Sequence, residues 1–143
     1  MPDHVISVCG GRYYTNKRFL FDTLTELYNS LPKSTTLHVV EGGQSGADYF
    51  ARQWVRMARK YKWRVRGTTV GALWYKYGKS AGPIRNAEIL DTYNPVLVLA
   101  FPGHKGTQNM IKQAKERGIK VKKTIDWSLY ETEEDLTKPC PID

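Results

Sequence analysis

The sequence predicts an α/β fold: three layers, α/β/α, on a mostly parallel five-stranded sheet in the order 3-2-1-4-5. Three observations predict it. Short apolar runs alternate with segments of helical period from one end of the chain to the other. Two of these runs break into glycine-rich loops just before a helix begins, at Gly42–Gly46 and at Gly103–Gly106. The run from Val96 to Phe101 is apolar at every position, as in a strand covered on both faces. Right-handed crossovers then put helices on both sides, with a switch point between the first and fourth strands.

The first strand is His4 to Cys9, and it runs into Gly10-Gly11-Arg12. Gly11 and Arg12 thus sit at the carboxyl end of a strand, where the ligand crevice of such a sheet opens. Cys9 reads as a small buried hydrophobe, because no paired base is in sight. Thr15 or Asn16 can cap the next helix, whose Leu20, Leu24, Leu27, Tyr28 and Leu31 recur at helical spacing. Thr36 to Val40 is the second strand. His38 within it is an ordinary sheet residue, since nothing nearby has metal-ligand spacing.

Glu41-Gly42-Gly43-Gln44-Ser45-Gly46-Ala47-Asp48 follows. Two readings stand here. Ser45 and Asp48, three apart, form a capping pair. In the other, compatible with it, Gly42, Gly43 and Gly46 form a cradle for a phosphate or sugar, Gln44 and Ser45 join the ligand-binding set, and Asp48 orients a ribose hydroxyl. Ala47, Phe50, Ala51, Trp54, Ala58 and Tyr61 give the following helix its apolar stripe. Trp63 to Arg66 reads as a short third strand whose basic residues suit an edge.

Leu73 to Asn86 is basic, aromatic and turn-rich at once. It reads as a loop leading into a helix capped by Ser80, with Gly82-Pro83 in the first turn. Trp74 and Tyr77 beside Lys79 offer a base a stacking face and its phosphates a counter-charge. Arg85 and Asn86 begin the helix. The macrodipole disfavours a cation there unless an anion accompanies it.

After Val96–Phe101 comes Pro102-Gly103-His104-Lys105-Gly106-Thr107. Strand, glycine loop and helix N-terminus together hold an anion: unpaired N–H groups point into the loop, Gly103 and Gly106 permit close approach, and Thr107 and Lys105 add a hydroxyl and a charge. Met110, Ile111 and Ala114 line the buried side of that helix. Ile119 to Ile125 is a last, partly exposed strand, and Asp126 to Tyr130 a final turn. One domain spans 1–130, followed by a loose polar tail over 131–143.

The chain has 143 residues, one domain by length, and 41% of them are apolar, enough for a core. No apolar run is long enough to span a membrane, and no secretory signal pattern opens the chain. Cys9 and Cys140 are too few for a disulfide framework, so a reduced, cytoplasmic protein is expected. The formal net charge of +8 favours anionic partners. Glu131, Glu133, Glu134 and Asp135 cluster near the end, which leaves the body more basic still.

Four motifs carry a family resemblance: Gly10-Gly11-Arg12, Val40 to Asp48, Tyr77 to Asn86, and Ala100 to Thr107. Together they resemble the YspA-like, cpYpsA-related branch of the SLOG superfamily. This is a Rossmann-like group that also holds the Lonely Guy phosphoribohydrolases and the DNA-processing protein A core. The resemblance runs from about Val5 to Val121. It implies binding or processing of nucleotides or nucleotide-derived signals, such as ADP-ribose-like molecules or cyclic nucleotides, in bacteria or their phages. It also implies a homo-oligomer, and it calls for no separate cofactor or metal.

This chain departs from the phosphoribohydrolase pattern Pro-Gly-Gly-x-Gly-Thr-x-x-Glu. His104 replaces the second Gly and Met110 stands at the Glu, while Arg85 matches the Arg that acts beside it. Binding without turnover, in a sensor or a sequestering protein, is therefore the first expectation. An N-glycosidic hydrolase, using Asp48, Glu41 or Glu88 as its carboxylate, is the second. Single-stranded DNA binding, from the charge and the Trp74–Lys79 segment, is the third.

Overall fold

The computed structural model describes residues 3–129. The expected tail over 131–143, and Tyr130 of the final turn, lie outside the described residues. Strand and helix alternate: β1 (Asp3–Cys9), α1 (Lys17–Ser30), β2 (Thr36–Glu41), α2 (Ala47–Lys60) and β3 (Val65–Thr69) come first. A single turn α3 (Trp74–Tyr77) and a 3-10 turn (Gly78–Ser80) lead into α4 (Ala81–Tyr93). Then follow β4 (Leu97–Ala100), α5 (Lys105–Glu116), β5 (Lys120–Lys123) and a 3-10 turn over Ile125–Leu129.

All five strands are parallel, in the order β3-β2-β1-β4-β5. β1 is central: Ile6 pairs with Val39 on one side and Leu97 on the other. Alternation along the strands sorts the core into two layers. Ile6, Val8, Leu37, Val39 and Leu99 pack under α1 and α2, against Leu20, Leu24 and Trp54. Cys9, Val40, Val98 and Ala100 pack under α4 and α5, against Ile89, Leu90, Met110 and Ile111. The three-layer Rossmann-like fold and its strand order are those the sequence predicts. No helix among the described residues is long and apolar enough to cross a membrane.

Local expectations are corrected at three places. The third strand is Val65–Thr69 rather than Trp63–Arg66. Lys62 takes a positive φ of 61°, and the Trp63 N–H returns to the Ala58 carbonyl. Trp63 then stacks on Tyr28 at 5.0 Å, so residues 62–64 are spent leaving α2. Ser80 does not cap α4 with its side chain, because the backbone there is already helical, continuing the turns from Trp74. The 74–80 segment is therefore helical rather than a loop. Nor do Ser45 and Asp48 form a capping pair: Gly46 is the N-cap of α2. Asn16, of the two candidates, caps α1 by accepting from the Phe19 N–H.

Candidate functional site

β1 and β4 are neighbours, but the helices that follow them pack on opposite faces of the sheet. Their loops diverge and leave a cleft of about 540 Å³ at the carboxyl ends of the strands. Val8, Cys9, Ile89 and Met110 give it an apolar floor. Burial pushes the Cys9 thiol up, well above the ordinary thiol range. A thiol held protonated in this way is a packing group rather than a nucleophile.

Backbone contacts fix the three loops against one another. The Gly11 N–H donates to the Pro102 carbonyl at 2.9 Å, and the Gly11 carbonyl accepts from the N–H groups of Tyr14 and Ala47. Ser45 Oγ donates to the Arg12 carbonyl at 3.0 Å. Gly46, at φ +75°, is where the second loop crosses the first: a Cβ there would lie 2.6 Å from the Arg12 carbonyl carbon. Gly42 meets a similar demand, since a Cβ on it would lie 2.7 Å from Arg85 Cζ. The glycine thus leaves the space that the guanidinium fills.

Arg85 is 6% exposed. Its Nη1 donates to the Gly42 carbonyl at 2.5 Å and its Nε to Asn86 Oδ1 at 2.9 Å. Burial lowers its pKa, opposed by the charges of Asp48 and Glu41. Its Nη2 donors make no hydrogen bond to protein among the described residues. Asp48, 5% exposed, lines the same cleft and accepts from the Gln44 N–H at 3.3 Å. Burial, helped by the charge of Glu41, pushes its carboxyl up to about 7 despite Arg85. Glu41 itself lies beneath the loop, 2% exposed, and is raised by burial. It accepts from the Gly43 N–H and the Thr69 hydroxyl, and Arg52 Nε stands 3.7 Å away.

The cleft gathers most of the residues singled out in the sequence. Gly11 and Arg12 line it from β1, Gly42, Gln44 and Asp48 from the second loop, and Lys105, Gly106 and Thr107 from the start of α5. Trp74, Lys79, Arg85 and Asn86 come from the α3–α4 side. Gly43, Ser45, Tyr77, Pro102 and Gly103 do not line it. Ser45 and Pro102 tie the loops together, and Tyr77 stands exposed under Lys76 Nζ. Of the candidate carboxylates only Asp48 faces the cleft, because Glu88 is exposed on α4 outside it. Asn109 and Pro83 also line the cleft, and sequence reasoning assigned neither a role. Among the described residues no group of three or more His, Cys, Asp or Glu is placed to hold a metal ion.

The arrangement is chemically specific. Arg12, Lys79 and Lys105 stand at the mouth and Arg85 stands inside, beside the free N–H groups that begin α5. Trp74 adds a ring, half exposed, and Asp48 an acceptor for hydroxyls. The cleft thus joins cationic groups and helix N–H donors, a carboxylate acceptor and a half-exposed ring. Two likenesses accompany this geometry. Residues 4–67 match the model of the YspA, cpYpsA-related SLOG family. The Gene 61 protein of Mycobacterium phage D29 is 31% identical over 118 residues, which cover 81% of this chain and 92% of that protein.

Proposed function

The chain belongs to the YspA, cpYpsA-related SLOG family, and we propose that it binds a nucleotide or nucleotide-derived signal in this cleft without turning it over. Arg85 carries the reading. A guanidinium almost fully buried against a glycine backbone, with its Nη2 donors unengaged by protein, is poised for an anion. Lys105, Arg12 and the first N–H groups of α5 hold the remaining phosphate charge. Asp48 accepts from the ribose hydroxyls, and Trp74 stacks on the base. Met110, apolar and 2% exposed, stands where the phosphoribohydrolase pattern puts its acid, which favours holding the ligand intact. A sensor or a sequestering protein fits this chemistry, and the likeness to a phage protein suits a role in the contest between phage and host.

One observation favours a second reading. An acid titrating at about 7 inside the cleft suits general acid catalysis, so Asp48 could protonate a departing base in an N-glycosidic hydrolase. Mass spectrometry separates the two. The protein is incubated with mononucleotides, cyclic dinucleotides, NAD and ADP-ribose, freed of unbound ligand, and denatured. Intact nucleotide released from the wild type, and none from Arg85→Ala, is the result expected. Free base and ribose phosphate in the flow-through would establish the hydrolase. Full affinity in Arg85→Ala would refute the site.

A further inference from the structure

A chain of amides runs from Arg85 across the gap between α4 and α5. Asn86 Oδ1 accepts from Arg85 Nε at 2.9 Å. Asn86 Nδ2 donates to Asn109 Oδ1 at 3.1 Å and to the Gly106 carbonyl at 3.4 Å. Gln113 Nε2 donates to the same Asn109 Oδ1 at 2.8 Å and to the Pro83 carbonyl at 3.0 Å.

The polarity of this chain follows from its first member. A guanidinium has donors and no acceptor, so the Asn86 atom facing it is the oxygen. The other end of Asn86 is then the NH₂ group, and the Asn109 atom it meets must accept. Gln113 supports the same assignment from the opposite side, because the Pro83 carbonyl accepts only from its NH₂ group. Both lone pairs of Asn109 Oδ1 are occupied. The Asn109 Nδ2 donors make no hydrogen bond to protein among the described residues, and Asn109 lines the cleft.

We infer that Asn109 is a specificity-determining residue, whose NH₂ group reads a hydrogen-bond acceptor on the edge of the ligand's base. This rests on the nucleotide reading of the cleft. The surroundings suit a base better than a phosphate at this point. Met110 and Ile89 belong to the apolar floor of the same cleft, and Trp74 and Pro83 line its α4 side. A neutral donor next to flat apolar surface favours a ring nitrogen or a carbonyl. The amide cannot turn over to offer its oxygen instead. Doing so would set its NH₂ group against the NH₂ groups of Asn86 and Gln113 and forfeit both hydrogen bonds.

The test is Asn109→Asp, measured by calorimetry with AMP, GMP, CMP, UMP, ADP-ribose and, as a probe without a base, ribose 5-phosphate. The carboxylate keeps an acceptor toward Asn86 and Gln113 but presents a second acceptor to the ligand. The variant should lose at least tenfold in affinity for the wild type's preferred nucleotide, while ribose 5-phosphate weakens much less. Asn109→Leu should narrow the differences among the four mononucleotides. Equal weakening of nucleotide and ribose 5-phosphate in Asn109→Asp would overturn the inference, since the effect would then be charge alone. Unchanged base preference in both variants would also overturn it. A wild type that binds no member of this panel, and neither NAD nor the cyclic dinucleotides, would instead refute the proposed function itself. Circular dichroism and thermal melts confirm that both variants fold.

Discussion

Asp48→Asn should stabilise the protein, and by an amount that depends on pH. The unfolded chain gives up the Asp48 proton near the ordinary 3.8, whereas the folded chain holds it to about 7. Between those values the unfolded state carries the charge and the folded state does not. The stability tied to this group is therefore whole below about pH 4, falls as pH rises toward 7, and stays low above it. At about 1.4 kcal/mol per pH unit of separation, the full loss is about 4 kcal/mol. Coupling to Glu41 shares part of this between the two carboxyls, so a measured difference of about 2 kcal/mol still agrees. The assay is urea unfolding of wild type and variant at pH 5, 6, 7 and 8. The variant's advantage should grow steadily to pH 7 and then level off. Parallel profiles, within about 0.5 kcal/mol at every pH, would refute the reasoning. A confirmed gap would mean that the fold tolerates a destabilising carboxyl in its cleft, and the same variant should then bind nucleotide more weakly.

Other expectations follow from single contacts. Gly46→Ala should destabilise by about 2 kcal/mol or more in urea and abolish nucleotide binding, because φ is +75° and the new Cβ meets backbone rather than a yielding side chain. A loss under about 0.5 kcal/mol would show that the loops can separate. Ser7→Ala should raise stability by about 1 kcal/mol, because the Ser7 hydroxyl is buried in β1 without a hydrogen-bond partner; a drop in the melting temperature would contradict this. Trp74→Ala should leave the melting temperature unchanged, since the ring is half exposed, yet weaken nucleotide binding about tenfold. Equal affinity would remove Trp74 from the site.

The parts legible in the sequence are those set by local pattern. Apolar runs broken by glycine loops placed β1, β2 and β4 within a residue or two, and their alternation with helices gave the strand order. The cleft was legible for the same reason: in a parallel sheet, strand ends converge wherever their crossovers diverge. β3 was displaced because Trp63 and Arg64 look like strand residues, but Tyr28 claims them first, stacking on the Trp63 ring and accepting from the Arg64 N–H. The helical turns over 74–80 were missed because Tyr, Gly, Lys and Ser there read as loop. The amide chain had no signal of its own. Asn86, Asn109 and Gln113 come from two helices, and only their packing gives the three residues a common line. Asp48 stands out in the sequence and lines the cleft, but its titration depends on burial and on Glu41, which spacing does not report.

Gly11 joins the three loops through its own N–H and carbonyl, and two of its partners, Ala47 and Pro102, come from distant parts of the chain. That has a consequence for the order of folding. The cleft cannot exist while the first half of the sheet stands alone, because the Pro102 carbonyl arrives only with β4. Closing so long a stretch of chain is slow compared with forming α1 or α2. Ligand affinity should therefore be the last property to return on refolding, after helical signal and after burial of Trp54. A partly folded chain would have the shape of a sheet and nothing to offer a phosphate.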